Sequence, residues 1–210
     1  MLRRISVLGS FVFALSLAVI VARGQTAASP TTSPATGAST APVGPMVDNP
    51  HYLAWSKFKP GTQVDLDMNI VVAGQKMVTN VTMTLVDISA EQAVVETLAK
   101  MTIPGFAGAA PREDKQTRTV LAKVPQSEAE RAFMPPGAVG ESKETGTETI
   151  TAAGKEYPCI VREFDGTIQN QPAKGKMWRN EQVPGGLVKM EASGSPQMTV
   201  TMELKSVREK

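Results

Sequence analysis

Apolar and polar residues alternate with a period of two along several segments of this chain, which limits the fold to one built from half-buried strands. In residues 63–72 the apolar positions are Val64, Leu66, Met68, Ile70 and Val72. A tight hairpin turn is predicted at Ala73-Gly74-Gln75, and residues 77–85 repeat the alternation after it. Two such strands joined by a short turn indicate an antiparallel meander rather than a parallel α/β sheet.

The same alternation returns along most of the chain after residue 92, and residues 197–205 show it most regularly. A helix is predicted near residues 50–58, with Tyr52, Trp55 and Phe58 on one face, and a second begins at the capping-box pattern 127–130. A polar loop is predicted at 165–172. Because a sheet with one apolar face must curl round its core or pack on a second sheet, the sequence predicts a mainly β fold. We expect a single curved antiparallel sheet, a half-barrel of about 8–9 strands, with one or two short helices, and a β-sandwich is the alternative.

The first residues have the three parts of a secretory signal. Arg3 and Arg4 precede an apolar run at 5–22, and Ala22 and Gly24 are small residues that fit a cut after Gly24. The sequence therefore predicts a signal peptide at 1–24, which is removed on export. An uncleaved N-terminal anchor is the alternative, and it would be the only attachment to a membrane.

Residues 25–47 contain only Ala, Ser, Thr, Pro, Gly, Gln, Val and Met, with no charged or aromatic residue. Such a segment buries too little apolar surface to offset chain entropy, so we predict a disordered linker. Residues 48–210 have the length and pattern of a single β-rich domain. The expected location is outside the cytoplasm, in the periplasm or the extracellular space of a bacterial envelope.

Charge and cysteine content exclude two classes of protein. The chain has 22 Lys+Arg and 20 Asp+Glu. Removal of Arg3, Arg4 and Arg23 with the signal leaves 19 against 20, a net charge of −1, and no basic cluster that would predict nucleic acid as a partner. The one cysteine, Cys159, cannot form an internal disulfide, and its strand-like surroundings predict a small buried apolar residue.

The residue inventory argues against catalysis. The single histidine, His51, lies at the start of the predicted domain, which makes a nucleophile–histidine arrangement or a His/Cys metal site improbable. Two carboxylate pairs, Asp65 with Asp67 and Glu141 with Glu144, are ordinary for a solvated strand face. We therefore predict no catalytic residue, no metal ligand and no cofactor, and expect that the protein is not an enzyme.

The segment Trp178–Glu191 reads Trp-Arg-Asn-Glu-Gln-Val-Pro-Gly-Gly-Leu-Val-Lys-Met-Glu. This strand–turn–strand pattern resembles the late hairpin of the periplasmic lipoprotein-carrier superfamily, and it is similar to uncharacterised exported proteins of bacterial envelopes. The resemblance implies a curved antiparallel sheet that shelters acyl chains. It assigns no ligand-contacting residue, because the cavity residues of that superfamily follow no fixed motif.

Methionine is frequent in the predicted strands, and its flexible thioether side chain adapts to apolar ligands. The candidate ligand-binding residues are Met68, Met83, Phe106, Met198 and Met202, with Phe106 and its Gly/Ala-rich loop as a lip. The first functional hypothesis is a non-catalytic envelope protein that binds a lipid or another apolar ligand in a concave sheet. A structural or interaction domain with an envelope protein as partner and no small ligand is the second, and an enzyme acting through carboxylates is the third.

Overall fold

The computed structural model describes residues 44–102, 112–131, 133–134, 138–168, 171–194 and 198–210. The predicted signal peptide, most of the predicted linker and the loop around Phe106 lie outside these ranges. The strands are β1 (Met46–Asp48), β2 (Gln63–Val72), β3 (Gln75–Ile88), β4 (Gln92–Thr102), β5 (Arg112–Leu121), β6 (Lys123–Pro125), β7 (Ala138–Ala152), β8 (Lys155–Ile168), β9 (Gln171–Arg179), β10 (Leu187–Gly194) and β11 (Met198–Arg208). The helices are α1 (Pro50–Ser56) and α2 (Gln126–Arg131).

Nine of these strands form one antiparallel sheet in the order β5-β4-β3-β2-β11-β10-β9-β8-β7, and β1 pairs with β6 in a separate two-stranded sheet. The large sheet is curved and does not close. The predicted half-barrel is therefore confirmed, and the β-sandwich alternative is wrong because all the long strands belong to one sheet. The short strand β1 includes Met46 and Val47, the last two residues of the predicted linker.

Local irregularities accompany the curvature. The register shifts beside Val86, Thr145, Val188 and Lys205. An extra residue in one strand of a pair bends that strand and increases its twist. Strand β7 also contacts β10 and β11, although β8 and β9 separate it from them in the sheet. The sheet thus curls enough to bring non-neighbouring strands together.

The tight turns match the sequence, but one predicted loop does not. Ala73 and Gly74 both have positive φ, 51° and 79°, as a two-residue hairpin turn requires. The loop predicted at 165–172 is wrong, because β8 continues to Ile168 and β9 begins at Gln171. Residues there are polar because they lie on solvated strand ends, where Lys174 and Asp165 form an ion pair of 2.7 Å.

Helix α1 covers one end of the sheet's apolar side. The Asn49 side chain caps the helix by accepting a hydrogen bond of 2.9 Å from the His51 backbone N–H. Trp55 is 2% exposed in the larger core, whose members come from α1 and most of the large sheet. Tyr52 and Phe58 pack against that core as the sequence predicts, although α1 ends at Ser56 and Phe58 lies after the helix instead of on its face. Within the described ranges no helix is long and apolar enough to cross a membrane.

Candidate functional site

A row of in-register side chains crosses the large sheet on the side that faces α1, which we call the inner face. One residue from each of eight consecutive strands contributes to it. From β8 to β5 the row reads Arg162, Met177, Met190, Met202, Met68, Thr79, Met101 and Arg112. We call it the methionine row. At the usual spacing between strands, its span from Met177 to Met101 is roughly 24 Å.

The methionine row is covered at one end and partly open at its centre. Met177 and Met190 are buried in a small second core with Met134, which follows α2 in the chain. The half-buried members of the row are Met202, Met68 and Met101. The centre of the row therefore keeps flexible apolar side chains partly accessible.

A buried hydroxyl interrupts the row between Met68 and Met101. Thr79 is 2% exposed, and its hydroxyl has no hydrogen-bond partner in the described part of the chain. Leaving a buried hydroxyl without a partner costs about 1–3 kcal/mol. This polar atom divides the methionine row into a part with Met68 and a part with Met101.

The sequence-predicted ligand residues are distributed unequally over the inner face. Met68 and Met202 are direct neighbours in the methionine row. Met198, the first residue of β11, lies on the same face, opposite Val72 at the end of β2. Met83 packs against the larger core near α1, and Phe106 lies outside the described residues. The structure brings the first two residues together and separates them from Met83 and Met198.

Four nitrogen-bearing side chains on α1 and the inner face interact electrostatically: the charges of Arg118 and Arg179 act on His51, and the charge of Arg162 acts on Arg179. We call His51, Arg118, Arg162 and Arg179 the cationic cluster. The guanidinium groups of Arg162 and Arg179 lie 4.2 and 5.5 Å from the centre of the Phe133 ring. Arg162 also donates to the hydroxyl and carbonyl oxygens of Ser142, at 3.4 and 3.2 Å.

Curvature of the sheet assembles this cluster. Arg118 lies on β5 and Arg179 on β9, six positions away in the strand order. In a flat sheet the two strands would be roughly 29 Å apart. The charges of both residues nevertheless act on His51 of α1 and lower its pKa. Helix α1 contacts β5, and both Ala54 of α1 and the Arg179 guanidinium lie beside Gly186, so the curved sheet brings β5 and β9 to the same helix.

One carboxylate, that of Glu144, forms an ion pair with a member of the cationic cluster. The residues outside the described ranges contain no Asp or Glu, so the position of every side-chain carboxylate is known. Arg162 forms an ion pair of 3.6 Å with Glu144, whereas the Arg118 guanidinium has no ion pair or hydrogen bond with the described residues. Desolvation lowers the pKa of Arg118 and of Arg179, and the charge of Arg162 lowers that of Arg179 further.

His51 makes the stability of the fold dependent on pH. Burial, followed by the charges of Arg118 and Arg179, lowers the pKa of His51 from 6.5 to about 4. Between these values the unfolded chain binds a proton that the folded protein does not, so stability falls as the pH is lowered from 6.5 to 4. We expect His51 to contribute a loss of about 2–3 kcal/mol over this window. Urea denaturation at several pH values measures it, and His51→Gln should remove this contribution; an unchanged pH slope in the variant would contradict the assignment.

The carboxylates of Asp65 and Asp67 form hydrogen bonds and ion pairs, which does not favour a catalytic role for them. Partial burial raises the pKa of Asp65, but hydrogen bonds from Ser206 and Thr82 and the charge of Arg208 lower it overall. Asp67 forms an ion pair of 3.2 Å with Lys205. These carboxylates stabilise strand pairing on the outer face of β2.

Cys159 is buried, as the sequence predicts. Desolvation, followed by the charge of Glu148, raises the pKa of its thiol. The thiolate, which is the nucleophilic form of cysteine, is therefore disfavoured. This residue belongs to the larger core rather than to a reactive site.

Sequence reasoning did not identify the cationic cluster. Its available signal was an arginine at an inward-facing position of an otherwise apolar strand pattern. In β8, Arg162 shares a face with Phe164, and Ile160 precedes it on that face. An inward-facing arginine predicts a charged partner nearby, because charged residues are seldom buried unless paired, and Arg162 indeed pairs with Glu144.

The chain was compared with known proteins. No protein-family model matches it, and no curated protein matches it. Three solved structures have a similar fold. A Parabacteroides distasonis protein described as a lipoprotein has 10% identity and a TM-score of 0.46, with 75% of this chain and 99% of that chain covered. A Bacteroides fragilis protein described as exported, with a YmcC-like fold, has 11% identity and a TM-score of 0.43, with 72% and 97% covered. A Vibrio parahaemolyticus domain described as outer membrane lipoprotein-sorting has 12% identity and a TM-score of 0.28, with 72% and 86% covered. Likeness at this level is too remote to transfer a function to this chain.

Proposed function

We propose that this chain is a non-catalytic exported protein that binds a lipid or another apolar ligand on the inner face of its sheet. The methionine row is the observation that carries the proposal. Five methionines from five strands lie in register with one another and with Thr79. Thioether side chains are unbranched and polarizable, so a surface made of them adapts to ligands of varied shape.

The neighbouring row supports the same ligand class. This second row of in-register side chains lies on the inner face, near the end of β2 and the start of β11. It consists of Met77, Ile70, Val200 and Ala192. The two rows together form an apolar floor across four strands, next to the roughly 24 Å length of the methionine row. The half-buried part of the row, from Met202 to Met101, spans roughly 14 Å. That is close to the ~15 Å occupied by one leaflet of the hydrocarbon core of a bilayer, so an acyl chain has room to lie there.

A binding assay with neutral ligands tests the proposal. N-phenyl-1-naphthylamine, a dye that fluoresces in apolar surroundings, is titrated into the full chain, and monolauroylglycerol is then added. We expect saturable fluorescence that the acyl ester displaces. A native mass spectrum of protein prepared from its own envelope without detergent should show a retained lipid mass that is lost on denaturation. Neither saturable dye binding nor retained lipid would contradict the proposal.

A structural or protein-interaction role is the second candidate, and the packed core favours it. The larger core contains side chains that are completely buried, among them Leu85, Cys159 and Val188. Met177 and Met190 are also covered, which leaves only the centre of the methionine row accessible. Bare protein in the native mass spectrum, together with a co-purified envelope protein, would favour this role.

A further inference from the structure

We infer that the cationic cluster binds the negatively charged head group, a carboxylate or a phosphate, of a ligand whose apolar chain lies on the methionine row. This inference rests on the proposed function and specifies its ligand class as an anionic amphiphile. His51, Arg118, Arg162 and Arg179 would surround the head group from four different elements, α1, β5, β8 and β9.

The cationic cluster and the methionine row are continuous. Arg162 belongs to both, because it is in register with Met177 at the covered end of the row. Arg179 lies two residues beyond Met177 on the same face of β9, which corresponds to roughly 7 Å along the strand. An open groove of about 540 Å³ also passes Arg179; it is lined in part by the apolar Phe58 and Ile160 and in part by the charged Lys57, Glu181 and Glu209. Met177 and Met190, next to these cations, are buried with Met134, so a single amphiphile would pass this covered part and reach the half-buried Met202 and Met68 with the far part of its chain.

The charge distribution favours an anion at this place. Arg162 and Arg179 both approach the Phe133 ring, so two like charges are held near each other on a partly desolvated surface. An anion between them would offset this repulsion. The planar fork of a guanidinium matches the oxygens of a carboxylate or phosphate and can bind them with two parallel hydrogen bonds.

The charged neighbours of His51 are known from each element packed around it. Helix α1 contacts β4 and β5. The inner face of β4 carries no charged residue. The inner face of β5 carries Arg118 and, farther along the strand, Asp114 and Arg112. The charge of Arg179 on β9 also acts on His51, and Arg162 on β8, which pairs with Glu144 on β7, acts in turn on Arg179. A bound anion would add negative charge to a predominantly positive environment. It should consequently raise the pKa of His51 from about 4 toward its ordinary value of 6.5.

The experiment compares two ligands with the same acyl chain, laurate and monolauroylglycerol, on the full chain by dye displacement. We expect laurate to bind at least tenfold more tightly. Arg118→Gln should weaken laurate binding about tenfold and leave monolauroylglycerol binding unchanged. Lys115→Gln is the matched control, because Lys115 lies on the outer face of the same strand, where it pairs with Glu96 at 2.9 Å. The control should bind both ligands as the unsubstituted protein does.

Nuclear magnetic resonance of His51 gives a second readout, since it is the only histidine in the chain. An untagged protein therefore has one imidazole signal. Laurate should raise the pKa of His51 by about 1 or more, and monolauroylglycerol should leave it unchanged. Inorganic phosphate at millimolar concentration should produce no saturable change, because without a chain it gains nothing from the methionine row.

Three outcomes would overturn the inference. Equal affinities for the two lauroyl ligands would exclude a head-group site while leaving the apolar site of the proposed function intact. A saturable change with phosphate equal to that with laurate would indicate a site for free anions instead of an amphiphile. Failure of both lauroyl ligands to bind would reject the proposed function together with the inference.

Discussion

Replacement of Trp55 by alanine is expected to lower the free energy of unfolding by about 3–5 kcal/mol. The side chain is 2% exposed and joins α1 to the larger core. An added Cβ at Gly185 would lie 3.2 Å from the Trp55 ring, which shows how closely the loop after β9 packs on it. The same loop donates a backbone hydrogen bond of 3.0 Å from Gly185 to Ala54. Loss of the indole would leave a cavity between helix, loop and sheet.

Chemical denaturation measures this effect as a lower midpoint at a constant slope. Leu53→Ala is the matched control in the same helix, because Leu53 is 47% exposed. Its expected cost is below about 0.5 kcal/mol. A similar loss in both variants would mean that helix propensity, rather than packing of the indole, determines the stability of this region.

Strands and turns were predictable because their signals are local. The alternation in 63–72 and the Ala73-Gly74 turn require only neighbouring residues, and the structure has both features where the sequence predicts them. Helix α1 was also predictable, since Asn49 and Pro50 are an ordinary start of a helix. The prediction at 165–172 was wrong because polar composition indicates solvent exposure, and a solvated strand end has the same composition as a loop.

The methionine row was only partly predictable. Alternation places Met68 and Met202 on apolar strand faces, but it does not specify which residue of another strand lies opposite. The pairing of β11 with β2 joins strands that are distant in sequence and sets Met68 beside Met202. Met177, Met190 and Met101 were not predicted as ligand residues, because their membership of the row follows from the registers of four further strand pairs.

The cationic cluster depends on long-range geometry alone. Arg118 lies in a strand whose exposed residues are mostly polar, so its inward position has no distinct local signature. The proximity of Arg118 and Arg179 to His51 requires the sheet to curl over six strand positions. Register shifts such as those at Val188 and Lys205 contribute to this curvature, and no short sequence pattern identifies them.

A lysine in place of Met68 is expected to weaken the binding of monolauroylglycerol about a hundredfold. Met68 lies at the centre of the methionine row, between Met202 and Thr79. An ammonium group at that position would lose hydration wherever an acyl chain covers it, and a charge without a partner in apolar surroundings is strongly unfavourable. The neutral ester is the correct ligand for this test, because an anionic ligand would be attracted to the new charge and would mask the loss.

Asn69→Lys is the matched control, since Asn69 is the next residue of β2 and faces the opposite side of the sheet. Both variants gain one charge in the same strand, so an effect of net charge or of strand propensity would appear in both. Met68 is only half-buried, and a lysine there can extend its amine to solvent in the ligand-free protein. The fold should therefore survive, as a denaturation curve would verify. Equal binding by both variants would remove the methionine row from the ligand site, whereas a loss confined to Met68→Lys would locate the acyl chain on the inner face.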